Sequence, residues 1–199
     1  MDFDFNVDYI LENEVVQLRP LTENDLQHLL PFAINEPEIW KYSLVQAHGE
    51  EKLRNYIQIA LRERANKKEY AFIVLDKRSG KYAGSTRFYD IQIENETLQL
   101  GYTWYGKDFQ GTGLNKNCKF LMLQFAFETM QMERVEFRAD SRNDRSIAAM
   151  KSLGCRIDGV LRKNLPTADY GRRDSVVLSI LKDEWFGGVK TNLMNKITV

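Results

Sequence analysis

Alternation and helical spacing divide the chain into regular segments before any chemistry is considered. VVQLRPL (Val15 to Leu21) puts Val16 and Leu18 on one face and stops at Pro20, the pattern of a first strand. Thr22 then offers an N-cap, and Glu23 and Asp25 place negative charge in the first helical turn. Leu26, Leu29, Leu30 and Ala33 follow at helical spacing until Pro37 breaks the helix. Trp40 and Tyr42 fall in the loop beyond, where an aromatic pair serves either as a hydrophobic anchor or as the wall of a cleft. Glu50 to Lys68 is a second amphipathic helix, with Leu53, Tyr56, Ile57, Ala60 and Leu61 on one stripe and a solvated basic outer face. Tyr70 to Asp76, Lys81 to Ile91 and Thr97 to Tyr105 are three strands on short turns, which reads as an antiparallel meander.

The second half alternates element types. An apolar helix begins near Leu114, with Leu114, Cys118, Leu121 and Phe125 spaced by four, three and four. Phe120, Leu123 and Phe127 are apolar as well, so protein should cover most of its circumference. Arg134 to Asp140 alternates as a strand, and Asn143 to Leu153 is a short helix ended by Gly154 at the C′ position. Ile157 to Leu165 and Ser175 to Leu181 are the last two strands. Residues 1 to 14 read as an extended arm or short helix, Asp183 to Phe186 as a terminal turn, and the tail to Val199 as polar and mobile. The order β-α-α-β-β-β-α-β-α-β-β predicts one mixed α/β (α+β) domain over residues 1–199, with its core at about 15–185. Its sheet has seven strands, mostly antiparallel, and the strand–helix–strand passage requires a parallel pair within it.

Composition narrows the partners. Lys plus Arg and Asp plus Glu both number 28, so no net field draws the chain to nucleic acid or to an anionic membrane. No apolar run approaches the roughly 20 residues of a membrane span. The opening MDFDFNVDY is acidic and aromatic, unlike a leader, and a cytoplasmic protein is expected. The two cysteines, Cys118 and Cys155, belong to no CxxC or Cys/His cluster. Buried free thiols are expected, and no metal site.

The candidate chemistry lies in GYTWYGKDFQGTGLNKNCKFLMLQFAF (Gly101 to Phe127). A strand enters a glycine-rich turn, Gln110 to Lys116, that opens directly into the apolar helix. Gly111 and Gly113 let the backbone curl, exposing successive N–H groups at the positive end of a helix, a seat for phosphate oxygens. A glycine pair before a helix is equally a plain turn, and this stretch alone does not choose. A phosphotransferase loop is excluded on detail, because GTGLNK lacks the Gly-Lys-Ser/Thr ending that holds phosphate and Mg²⁺.

Taken together, the element order and four motifs resemble the GNAT acetyltransferases. QGTGLN resembles the family's Gln/Arg-x-x-Gly-x-Gly/Ala signature, with Gln110 first and Asn115 in place of the final Gly/Ala. NDRSIAAMKSLGC (Asn143 to Cys155) resembles the second signature, an Asn-x-x-Ser opening the next helix. GYTWY before the turn, and VEFRADSRNDRS, DGVLRKN and GRRDSVVLSIL after it, resemble the ribosomal-protein alanine N-acetyltransferase (RimJ/RimL-like) branch. The resemblance spans about Val15 to Trp185. It implies a sheet whose fourth and fifth strands splay apart to admit the pantetheine arm of acetyl-CoA. The main chain of Thr103, Trp104 and Tyr105 would pair with that arm. The N–H groups of Gln110, Gly111, Thr112, Gly113, Leu114, Asn115 and Lys116 would hold the pyrophosphate. Asn143 and Ser146 would contact the reacting end, with Ser146 the proton donor to the CoA thiolate or simply a first-turn serine.

Direct acetyl transfer to a primary amine is then implied, a protein N-terminus being one candidate acceptor. The only histidines, His28 and His48, lie far from the motifs and speak against a Ser/His/Asp system. Many relatives carry a Glu where Gln99 stands, and a glutamine accepts no proton at neutral pH. Glu96, Glu136, Asp140 or ordered water are the alternatives. Arg87, Arg138, Arg142 and Arg162 either line the acceptor cleft or form sheet-surface ion pairs. A non-catalytic acyl-CoA sensor is the competing reading, with Gln99 as its reason. Relatives of this kind often pair through edge strands, and the strands after Cys155 are the candidates for a homodimer.

Overall fold

A computed structural model describes residues 3–167 and 171–197. Its frame is an eight-stranded sheet: β1 (Leu11–Glu12), β2 (Val16–Pro20), β3 (Tyr70–Asp76), β4 (Lys81–Gln92), β5 (Thr97–Tyr105), β6 (Arg134–Asp140), β7 (Arg156–Pro166) and β8 (Arg172–Leu181). They lie in the order β1-β2-β3-β4-β5-β6-β8-β7. The extra strand corrects the seven-strand expectation. Leu11 and Glu12 pair with Leu18 and Gln17, and two residues are too few to display a period. The arm before them is irregular, with a turn closed by Val7 N–H donating to Asp4 O at 3.2 Å. Its carbonyls accept from Arg64 at Phe5 (2.8 Å) and from the Tyr70 hydroxyl at Val7 (2.8 Å).

The principal helices are α1 (Leu26–Asn35), α2 (Glu50–Ala65), α3 (Leu114–Gln124) and α4 (Asp144–Leu153). One face of the sheet packs α1 and α2 through Leu29, Trp40, Leu53, Tyr56, Ile57, Ile73 and Trp104. The other packs α3 through Phe72, Phe88, Leu100, Cys118, Met122, Leu123, Phe127 and Leu178. Each such side chain contributes on the order of 1.5–3 kcal/mol on leaving water. Both cysteines are free and buried, as expected.

The C-terminal segment departs from the expectation of a mobile polar tail. It turns through Trp185–Val189 and forms a helix, Lys190–Asn195. Trp185 is fully buried and stacks on Phe127 at 5.5 Å, and Leu193 is buried beside it. Trp185, Val189 and Leu193 recur every fourth residue, an apolar stripe interrupted in the sequence by Gly187 and Gly188. Among the described residues no helix is long and apolar enough to cross a membrane.

Topology creates the functional opening. Every neighbouring pair is antiparallel except β5–β6, which α3 joins as a parallel crossover. That pair is in register only from Thr97↔Arg134 to Gln99↔Glu136. Beyond it β5 continues to Tyr105 paired with β4 alone, and β6 continues to Asp140 paired with β8 alone. The strands have parted, as the resemblance implied.

Candidate active site

A cavity of about 970 Å³ fills the gap between the parted strands. β5 forms one wall with Leu100 to Tyr105 and β6 the other with Phe137 to Asp140, while the glycine turn and α4 close the far side. The wall on β5 is bent by a bulge. Ser85 pairs with Trp104 and Arg87 with Gly101, so Tyr102 and Thr103 together oppose Thr86. Tyr102 takes the left-handed φ of 49° that this bend requires. Gly101 permits close packing there, since a Cβ would stand 2.9 Å from the Tyr89 ring.

The glycine turn has the geometry of an anion seat. Gly111 and Gly113 adopt φ of 79° and 84°, and a Cβ at either would face open space rather than protein. Gly113 is the N-cap of α3, and the first intrahelical bond runs from Asn117 N–H to Gly113 O at 3.2 Å. The N–H groups between them precede any intrahelical acceptor and sit at the positive end of the helix. Gln110 braces the turn, its Nε2 donating to Tyr105 O at 2.7 Å and its Oε1 accepting from Arg145 at 2.7 Å. Asn115 Oδ1 is buried with no hydrogen-bond partner, a polar atom awaiting a donor. Thr112 and Leu114 do not line the cavity. The Thr112 hydroxyl donates to Phe109 O at 2.8 Å, and Leu114 is buried in the core. Lys116 lines the cavity half-buried. These groups fit a diphosphate with an amide-bearing tail running along β5.

Opposite β5, Asn143 caps α4, accepting from Ser146 N–H at 3.1 Å, and both residues line the cavity. N-capping and presentation toward the cavity are therefore compatible. The Ser146 side chain is half-buried on the first turn of that helix. Two carboxylates near the site are committed to ion pairs, while Asp144 lines the cavity exposed on the first turn of α4. Glu136 bridges Arg134 at 2.9 Å and Arg138 at 2.6 Å. Asp140 is held below the usual carboxylate range by its bonds from Arg142, which outweigh burial. Glu96 is exposed in the turn before β5. Gln99 donates to Asp90 at 2.8 Å.

The remaining wall is aromatic and cationic. Trp40 packs edge-on against Trp104 at 4.6 Å and Tyr56 donates to Tyr102 O at 3.3 Å. The Tyr42 hydroxyl reaches across to Arg142 O at 3.3 Å. Trp40 is thus an anchor, and Trp40 and Tyr42 both wall the cleft. Arg87 is buried beneath, bound to Glu69 at 2.6 Å and held between the Tyr56 and Tyr102 rings. Arg138 and Arg142 line the cavity while engaged in ion pairs, whereas Arg162 is exposed outside it. Among the cavity residues that sequence reasoning did not single out, two are buried cations. Arg173, 6% exposed, precedes the recognised apolar run of β8, where an arginine carries no pattern. Lys119 is 4% exposed on α3, and a lysine within a helix covered on most sides was the available signal.

Comparison with known proteins agrees with this geometry. The Acetyltransferase (GNAT) domain model matches residues 16–156. A candidate acetyltransferase of known structure from T. thermophilus is 35% identical, with a TM-score of 0.84 over 94% of this chain and 96% of its own. The ribosomal-protein-S5-alanine acetyltransferase of Vibrio fischeri shares the fold at 19% identity, with a TM-score of 0.72 over 90% of this chain and 99% of its own. Mycobacterium smegmatis RimJ, solved in complex with CoA-disulfide, shares it at 18% identity, with a TM-score of 0.80 over 94% and 93%. With its parted strands, glycine turn and Asn-capped α4, the chain belongs to the GNAT acetyltransferase family, RimJ/RimL-like N-acetyltransferases that use acetyl-CoA.

Proposed function

We propose that this protein transfers the acetyl group of acetyl-CoA directly to a primary amine, and that a protein or peptide N-terminus is the acceptor class to test first. The observation that carries the reading is one cavity joining the α3 N-terminus, the unpaired edge of β5 and the first turn of α4. Acetyl-CoA supplies an activated thioester. The N–H groups from Gly111 to Lys116 hold its diphosphate, beyond Gln110, whose own N–H donates to Lys107 O at 3.1 Å. The edge of β5 at Thr103 to Tyr105 pairs with the amide arm, which fixes the thioester between β5 and α4. Ser146 Oγ, on the first turn of α4 behind the Asn143 cap, donates a proton to the departing sulfur. Trp40, Trp104 and Tyr56 keep water from the reacting carbonyl. The S5-alanine acetyltransferase that shares the fold supports a protein N-terminus as acceptor, and Arg138, Arg142 and Arg173 offer donors to the carbonyls of such a chain.

The test is CoA release from acetyl-CoA across N-terminal peptides, polyamines and aminoglycosides, with wild type and Ser146→Ala side by side. Turnover with one class, reduced about 10²-fold or more in the variant at unchanged acetyl-CoA affinity, supports the assignment. Tight binding with no release on any amine sinks it in favour of an acyl-CoA sensor.

A further inference from the structure

Lys119 lies on the inner wall of the cleft, one helical turn past Asn115, and its Nζ bonds Thr86 Oγ1 at 2.9 Å and Thr103 Oγ1 at 2.6 Å. The two hydroxyls are themselves 2.8 Å apart, and Thr103 Oγ1 donates to Gly101 O at 3.3 Å. Among the described residues, no carboxylate lies within ion-pairing distance of this lysine. The groups facing it are neutral. Thr86 comes from β4 and Thr103 from β5, with Cys118 beside it on α3 and Cys155 ahead of β7. Burial holds the Cys118 thiol up at about 11 and the Cys155 thiol at about 12. Burial also holds the neighbouring Tyr105 hydroxyl protonated.

A leucine would fill this space without the cost of burying an amine, so the position calls for chemistry. The hydroxyl pair satisfies both charge states of the lysine. As an ammonium, Nζ donates to Thr86 and Thr103, while Thr103 donates on to Gly101 O. As an amine, Nζ presents a lone pair that accepts from the Thr103 hydroxyl. A proton can therefore arrive and leave without movement of heavy atoms.

We propose that Lys119 is the proton acceptor of the transfer reaction, reached through the hydroxyl of Thr103, which lines the cleft at the bulge of β5. This rests on the acetyl-transfer reading above. As the acceptor nitrogen bonds to the thioester carbon and the C–S bond breaks, the nitrogen gives its proton to Thr103 Oγ1. Thr103 passes its own proton to Nζ. The departing sulfur takes a proton from Ser146, and Lys119 restores that proton through solvent, so acetamide and CoA thiol leave and the protein is unchanged. Burial lowers the Lys119 amine to about 7, so a large share of it is neutral at physiological pH. Glu136 and Asp140 are held in ion pairs and Gln99 accepts no proton, whereas the Lys119 amine is bonded directly to a hydroxyl of the cleft wall.

The experiment compares wild type, Lys119→Met and Thr103→Val on the peptide that turns over best, as kcat against pH. It is paired with ¹³C NMR titration of lysine Cε and with mass spectrometry of each protein after acetyl-CoA alone. Wild-type kcat is expected to rise through a step near 7 that matches one Cε titration. Lys119→Met should bind CoA normally, lose that step and fall about 10²–10⁴-fold. Thr103→Val should keep the Cε titration and lose most of the rate. A step retained in Lys119→Met with kcat near wild type overturns the role, as does an acetyl group found on Lys119, which would make it a nucleophile. Failure of all three proteins to release CoA from any amine overturns the transfer reading, whatever the lysine titration.

Discussion

Replacing Lys119 by Met should stabilise the fold at neutral pH and flatten its response to alkali. In the unfolded chain this lysine titrates near 10.5, and in the fold burial lowers it to about 7. Between those values unfolding takes up a proton. Stability from this group is therefore present at high pH and is lost as pH falls toward 7. The full separation is on the order of 5 kcal/mol, and the part recovered between about pH 7 and 8.5 is roughly 1.5 kcal/mol. The upper limit matters because the thiols act in the opposite sense. Cys118 and Cys155 are raised above their usual 9, so ionisation of the unfolded thiols erodes stability once pH approaches that value. Methionine has similar length and no proton to lose, and Thr86 and Thr103 can still bond each other at 2.8 Å. The assay is urea unfolding followed by tryptophan fluorescence across that window. With an m-value of about 2 kcal/mol/M, the wild-type midpoint should rise by roughly 0.7 M. The variant should start higher at pH 7 and stay level. Equal slopes in the two proteins, or a variant less stable at every pH, would refute the claim that an unpaired lysine is buried in this wall.

Three further outcomes follow from the same structure. Gly113→Ala forces a side chain into a left-handed backbone at the N-cap of α3, a strain of about 1–2 kcal/mol; acetyl-CoA affinity measured by calorimetry should fall about tenfold or more, and unchanged affinity would remove the glycine turn from the site. Trp185→Ala empties a fully buried position stacked on Phe127, so the unfolding free energy should drop by about 3–5 kcal/mol, and a change below about 1 kcal/mol would mean that the C-terminal segment does not dock. β7 is a sheet edge with Ile157, Val160 and Leu161 exposed, and a second copy pairing along it should make the protein sediment as a dimer that Val160→Asp converts to monomer; a wild-type monomer at working concentration refutes this pairing.

Much of this architecture was readable in the chain because local pattern and tertiary need coincide. β3 is bounded by the ends of a continuous apolar run and β6 by those of its alternation, and α4 begins at an asparagine cap and ends at a glycine with φ of 106°. The glycine turn was visible for the same reason, since its backbone requires the residue type that marks it. What escaped was structure defined by distant partners. Leu11 and Glu12 become a strand only because β2 lies beside them. The terminal helix depends on a Trp185–Val189–Leu193 stripe that paired glycines conceal. Arg173 and Lys119 owe their meaning to walls contributed by other elements. Lys119 differs from Arg173 in one respect: a charge at four-residue spacing from Asn115 and Leu123, within an otherwise covered helix, was a local anomaly that invited a functional reading.

The most direct test of the account is a crystal structure with acetyl-CoA bound. It predicts the diphosphate on the N–H groups of Gly111 to Lys116 and the amide arm against the free edge of β5. The thioester should lie between Ser146 and Thr103, with Lys119 behind it. A diphosphate seated away from the glycine turn, or an acyl end outside the gap between β5 and β6, would contradict it.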